Sequence, residues 1–196
     1  MKSPVITAFL LLPIYFYFGQ TTKEQKFNAA IQEIAIAFSM QDSAKISKYT
    51  SKEIGLYQLD RVGMYDHYNH FKTLTFSGTT YPKILFRNAK DIKLMALEYS
   101  SLPAWDCDKE VWSKKGLFVD TTKIDYLLSK ICKSRNKFGP DTIPEKKTQF
   151  FYELETKSRR IVFYDNDGIE LVFYMSYLNG NWYLTIVDNV SSDCSA

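Results

Sequence analysis

Apolar residues recur at helical spacing near the start of the chain and at strand spacing near its end. Phe27, Ala30, Ile31, Ile34, Ala35 and Phe38 repeat every three or four residues and predict a helix from about Lys23 to Ser39. Thr22, with Gln25 three positions on, has the capping-box pattern that starts such a helix. Asp42 or Ser43 then caps a shorter helix that turns Ile46 and Tyr49 inward. At the other end, residues 149–190 predict four antiparallel strands joined by tight turns. The first two, Phe150 to Thr156 and Arg159 to Tyr164, would pair around Lys157-Ser158, with Leu154 facing Ile161, Tyr152 facing Phe163 and Glu155 opposite Arg160. Asp165-Asn166-Asp167-Gly168 makes the next turn. It is not a calcium loop, because the first and last ligand positions would fall on Phe163 and Tyr174.

Asn179-Gly180 is the strongest turn signal, since both residues tolerate the positive φ of a two-residue hairpin loop. Such a loop sets Tyr177 opposite Trp182, Met175 opposite Leu184, Phe173 opposite Ile186 and Leu171 opposite Asp188. That face is apolar until Asp188. The other carries Ser176 with Tyr183, Tyr174 with Thr185 and Val172 with Val187. One face should therefore be sealed while the amphipathic one meets solvent, a pocket or a partner.

The middle is less regular. Glu53 to Leu59 reads as extended with a break at Gly55, and Leu74 to Ser77 and Ile84 to Phe86 as short strands. Residues 92–99 fit a strand and a helix equally. SLPAWDCDKEVWSKKGLFVD reads as a structured loop ending in a strand at Leu117 to Val119. Thr122 caps a third helix with Ile124, Leu127, Leu128 and Ile131 on one face, and residues 133–147 read as a polar, exposed connector.

Composition places this pattern in an exported α+β domain. The chain has 196 residues, 45% hydrophobic and 16% aromatic, enough for one sizeable core. Lys2, the apolar run from Val5 to Phe18 and then Gly19-Gln20 read as a secretory signal over residues 1–19, with an uncleaved anchor as the alternative. The run is too short, and too interrupted by Pro13, for a comfortable membrane span. Residues 20–190 then form a single domain and residues 191–196 a mobile tail. Net charge is +3, or +2 once Lys2 is removed, too mild to imply a nucleic-acid partner. Export to a periplasmic or extracellular space makes Cys107, Cys132 and Cys194 candidates for one disulfide and a leftover thiol. The expectation adopted is Cys107 with Cys132.

Chemistry is sparse. Asp66, His67 and His70 supply too few neighbouring ligands for zinc, and no third histidine or nearby cysteine completes a set. There is no G-x-S-x-G, phosphate loop or C-x-x-C, and no cofactor is implied.

The order of two helices broken at Asp42, mixed structure, a helix and a long antiparallel meander resembles the NTF2-like (SnoaL-like) superfamily. The resemblance rests on AFSMQDSAKISKYTSKE and on residues 150–190. The segments WDCDKEVW and KGLFVD and the ending NGNWYLTIVDNVSSDCSA also look like a group of exported proteins of Gram-negative bacteria. The NTF2-like resemblance implies a curved antiparallel sheet wrapped around helices as a cone with a pocket. It also implies either a non-catalytic binding or accessory module or a small isomerase or dehydratase. The binding module is the favoured reading, its partner a small apolar or aromatic ligand or an envelope protein. Tyr174, Trp182, Tyr183 and Asp188 are the candidate ligand contacts. For an enzyme, Asp188 is the candidate base, with His67 as helper. The plainer alternative has Asp188 at the sheet rim or capping a backbone amide.

Overall fold

The computed structural model describes residues 22–76, 95–120, 126–139 and 142–194. The apolar leader, Ile84 to Phe86 and the expected cap Thr122 lie outside them. The described residues form an α+β fold of four helices and a mostly antiparallel mixed sheet.

Helix α1 (Lys23–Ser39) has the expected bounds. The Thr22 hydroxyl accepts the Gln25 amide at 3.2 Å, and the Gln25 side chain accepts the Thr22 amide at 2.8 Å. Asp42 caps α2 (Ser43–Tyr49) by accepting the Lys45 amide at 2.9 Å. Asp42→Ala should lower stability by about 1 kcal/mol, because that donor loses its partner. Urea unfolding should show a lower midpoint at an unchanged slope.

Strands β1 (Leu56–Val62) and β2 (Tyr65–Phe71) follow as a hairpin. Then come β3 (Leu97–Tyr99), the small ribbon β4 (Trp105–Asp106) with β5 (Val111–Trp112), and β6 (Gly116–Val119). Helices α3 (Leu127–Phe138) and α4 (Glu145–Thr156) precede β7 (Ser158–Tyr164), β8 (Glu170–Leu178) and β9 (Asn181–Asp188). The main sheet runs β2-β1-β9-β8-β7-β6-β3, with parallel contacts at β1–β9 and β3–β6. Leu74 and Phe76 lie in irregular chain, not in the expected strand.

Two expectations for the C-terminal region are overturned. Residues 150–156 belong to α4, so the meander has three strands, β7-β8-β9. The aromatic trio Phe150, Phe151 and Tyr152 suggests a strand. Yet Thr148, Phe151, Leu154 and Glu155 are buried at helical spacing, within a run rich in good helix formers. The segment read as an exposed connector is therefore mostly the end of α3 and the start of α4.

The second correction is one of register. The hairpin turns at Asn179 and Gly180 with φ of 49° and 83°, and Tyr177, Ser176 and Met175 meet Trp182, Tyr183 and Leu184 as expected. A bulge then intervenes: Tyr174 pairs with Ile186 and Phe173 with Val187. The extra residue, Thr185, turns its hydroxyl to Ser176 Oγ at 2.6 Å. A one-residue slip exchanges the faces beyond it. Val187 joins the core under α1, while Ile186 joins the opposite core.

Both sheet faces are consequently covered. On one, Phe27, Ile31, Ile34 and Phe38 of α1, all with no exposed surface, pack on Leu56, Leu117, Ile161, Phe173, Met175 and Leu184. Each such side chain stabilises the fold by about 1.5–3 kcal/mol. On the other face, Leu128, Ile131, Phe151 and Leu154 of α3 and α4 cover Tyr57, Leu59, Tyr174 and Ile186. Trp105, Trp112 and Leu102 cover Val162, Tyr164 and Val172 further along. The amphipathic face expected to stay open is the floor of a second core.

Candidate functional site

With both faces sealed, the concave surface near the meander lies at its end, around the Asn179-Gly180 turn. A cleft of about 550 Å³ lies between α1, α2 and the start of β9, lined by Lys26, Ala30, Lys48, Tyr49, Asn181, Trp182 and Tyr183 among others. Next to it, sharing Lys48 and Tyr183, is a hollow of about 480 Å³ lined also by Thr50, Lys52, Glu53, Ile54, Leu178 and Asn179. The hairpin places Tyr183 between them because residues alternate sides along β9.

Trp182 forms the rigid wall. Its ring lies 4.3 Å from Phe27 and 5.1 Å from Tyr177, and its Nε1 donates to the Lys23 carbonyl at 3.1 Å. Lys23 Nζ stands 3.7 Å above the Tyr177 ring, and the Arg159 guanidinium 5.2 Å from Trp182. Arg159 is held in place by Glu24 through two bonds of 2.7 and 2.9 Å. That pair keeps the Glu24 carboxyl below its ordinary range. Tyr49 donates to Glu33 at 2.8 Å; burial, and then that carboxylate, push its phenol up and keep it neutral. Two lysines, Lys26 and Lys48, and three aromatic rings, Tyr49, Trp182 and Tyr183, thus line the cleft with Asn181, and Lys52 lines the adjoining hollow.

The structure brings together two of the four expected ligand contacts. Trp182 and Tyr183 share the cleft, whereas Tyr174 is buried under α3 and α4 and Asp188 lies beside Arg160, away from the cleft. The bulge is the cause for Asp188, whereas Tyr174 faces away from Trp182 in either register. Asp188 is fully buried, and its Oδ1 accepts the Val190 and Ser191 amides at 2.9 and 3.0 Å. Its Oδ2 accepts the Ser191 hydroxyl at 2.6 Å and lies 3.6 Å from Arg160 Nη2. These contacts close the turn after β9. His67, on β2, pairs with Asp60 of β1 and, by strand alternation, projects to the opposite side of the sheet from Asp188. The structure does not unite the expected base and helper. Asp60 instead gathers amides, from Gln58 at 3.1 Å, Asn69 at 3.3 Å and Asn189 at 2.8 Å.

The disulfide joins Cys107 to Cys194, correcting the expected Cys107–Cys132 pair. Cys132 is a buried free thiol packed between α3, α4 and β1, while Cys107 lies beside the β4–β5 ribbon on the other half of that face. The tail expected to be mobile is tied there: Trp105 Nε1 donates to Cys194 Sγ at 3.1 Å, and Ser192 donates to Glu170.

Sequence reasoning missed a further cluster around Lys147 of α4. Its Nζ donates to the Tyr57 hydroxyl at 2.9 Å and stands 4.5 to 5.0 Å from the rings of Phe151, Phe150 and Tyr57. Burial pushes the Tyr57 phenol up to about 12 and Lys147 down. His70 stacks on Tyr57 at 4.4 Å. The spacing of Lys147 from Phe150 and Phe151 would have signalled the cluster had the segment been read as a helix. It seals α4 against β1. Among the described residues, no group of three or more His, Cys, Asp or Glu side chains could hold a metal ion. No helix among them is long and apolar enough to cross a membrane.

No known family, curated protein or solved structure matches the chain.

Proposed function

We propose that this is an exported, non-catalytic binding module of NTF2-like design, and that its ligand is a small aromatic anion taken at the cleft beside Asn179-Gly180. The observation that carries the reading is the placement of Lys26, Lys48 and Lys52, outnumbering Glu53, with Tyr49, Trp182 and Tyr183 around two adjoining hollows that share Lys48 and Tyr183. Aromatic walls supply apolar contact and stacking, while the ammonium groups favour negative charge. The NTF2-like part is supported by α1 and α2, with their break at Asp42, seated on a sheet that ends in an antiparallel meander. Export is supported by the leader composition and by the Cys107–Cys194 disulfide. The isomerase or dehydratase reading is the weaker one, because both Asp188 oxygens are engaged in closing a turn.

The test is titration with anilinonaphthalene sulfonate, an aromatic anion, followed by its own emission. Lys48→Glu removes a positive charge common to both hollows and adds a negative one, so affinity should fall on the order of tenfold at low salt. An unchanged affinity in Lys48→Glu, with the fold intact by circular dichroism, overturns the site.

A further inference from the structure

The outer edge of β2 points to a second function, independent of the cleft: assembly with another copy of the chain. Among the described residues β2 ends the sheet, and its seven-residue register with β1 runs unbroken from Leu56↔Phe71 to Val62↔Tyr65. Alternate residues of such a strand turn backbone N–H and C=O groups outward. Proteins usually protect a long edge with a bulge, a lysine or a proline within the strand. Tyr65–Phe71 has none of these.

Its sequence, YDHYNHF, is instead complementary to itself. We infer that β2 pairs antiparallel with β2 of a second copy about a two-fold axis at Tyr68, joining the two sheets into one. In that register Tyr68 faces Tyr68, Asp66 of one copy faces His70 of the other, His67 faces Asn69, and Tyr65 faces Phe71. Every pair then matches ring with ring, acid with base or donor with acceptor, and each occurs twice except the Tyr68 pair on the axis, as an isologous interface requires. Shifting by two residues sets His67 against itself and Asp66 against Tyr68, or Asn69 against itself and His67 against Phe71. Local geometry already fixes both members of the Asp66–His70 pair. Asp66 is fixed by Arg61 at 2.7 Å, and His70 by the Ile54 carbonyl at 2.7 Å and by stacking on Tyr57. The same register carries the tip of the β1–β2 hairpin alongside residues 71–72 of the other copy. Met64 and Tyr65 are 77% and 41% exposed there in the single chain, and pairing would cover them.

The first measurement is light scattering of the mature protein across a wide concentration range, where the mass should double. The second fixes the register. Opposed residues of an antiparallel pair have Cβ atoms about 5 Å apart, and the next on the same face about 7 Å. Tyr68→Cys should therefore form a disulfide-linked dimer under mild oxidation, whereas Asn69→Cys should not. Tyr68 packs 5.1 Å from Phe151, so its replacement could disturb folding. The double variant His67→Cys/Asn69→Cys supplies the same test from the other face and should link through two bonds. A chain that stays monomeric overturns the inference. So does a dimer in which the folded Tyr68→Cys variant and the double variant both fail to cross-link.

Discussion

Replacing Cys107 and Cys194 together by serine is expected to lower the unfolding free energy by about 4 kcal/mol, a large share of what a domain of this size has. The bond spans 87 residues of sequence, so the unfolded chain without it regains the freedom of a long closed loop. The loop contains α3, α4 and the whole meander, whereas the other bonds on the tail are noncovalent, among them Arg61 Nη1 donating to the Asp193 carbonyl at 2.5 Å. Asp188 holds the turn at Val190 and Ser191, and Glu170 holds Ser192 and Trp112. Chemical unfolding under oxidising conditions, comparing the double variant with the parent, measures the difference. A loss below about 1 kcal/mol would mean that these hydrogen bonds hold the tail without help from the covalent link.

How far the fold could be read from the chain depends on whether an element was decided locally. The bounds of α1, the caps at Thr22 and Asp42 and the Asn179-Gly180 turn follow from a few neighbouring residues, and all are as expected. The bulge at Thr185 is not local. It places Ser176 and Thr185 hydroxyls together in a buried site, and no single-strand pattern announces that partnership. Its cost to the reading was large, because it moved Asp188 from the α1 side of the sheet to the other. Residues 150–156 show a different failure. Aromatic side chains favour strands when they cover a pleated surface, but here Phe151 fits between Tyr57 and Tyr68 from above, as part of a helix. Pairing of the cysteines depends on where the tail returns, which the spacing of three residues cannot convey.

Only half of the candidate site was legible, for the same physical reason. Trp182 and Tyr183 lie at the start of β9, next to the turn and before the bulge, so their position was set by the two-residue loop. Lys26, Lys48 and Tyr49 reach the cleft because α1 and α2 dock across the end of the sheet, a tertiary event. A cleft formed between a helix pair and a hairpin end has no contiguous motif.

Glu155 carries the second large effect, and its sign is the opposite of the usual one for a carboxylate. The residue lies in the last turn of α4, 1% exposed, where Glu155 Oε1 accepts the Leu128 amide at 2.6 Å and Oε2 accepts the Ser129 amide at 3.3 Å and the Ser129 hydroxyl. It therefore caps α3 from a different helix, a role that Tyr126, with no side-chain bond at that position, leaves vacant. Burial nevertheless dominates these bonds and pushes its carboxyl from 4.5 up to about 7. A folded-state value above the unfolded one stabilises the fold fully below pH 4.5, and that contribution is lost as the pH rises through 7. A displacement of this size corresponds to about 3 kcal/mol. Glu155→Gln keeps the shape and an acceptor for the Leu128 amide but does not titrate. The stability difference between parent and variant should therefore move by about 3 kcal/mol in favour of glutamine between pH 4 and pH 8, with other titrating groups cancelling in the comparison. Paired denaturation curves at the two pH values give that difference. A flat difference, or one that favours the parent at high pH, would show that the ionised carboxylate is worth more to the start of α3 than its burial costs.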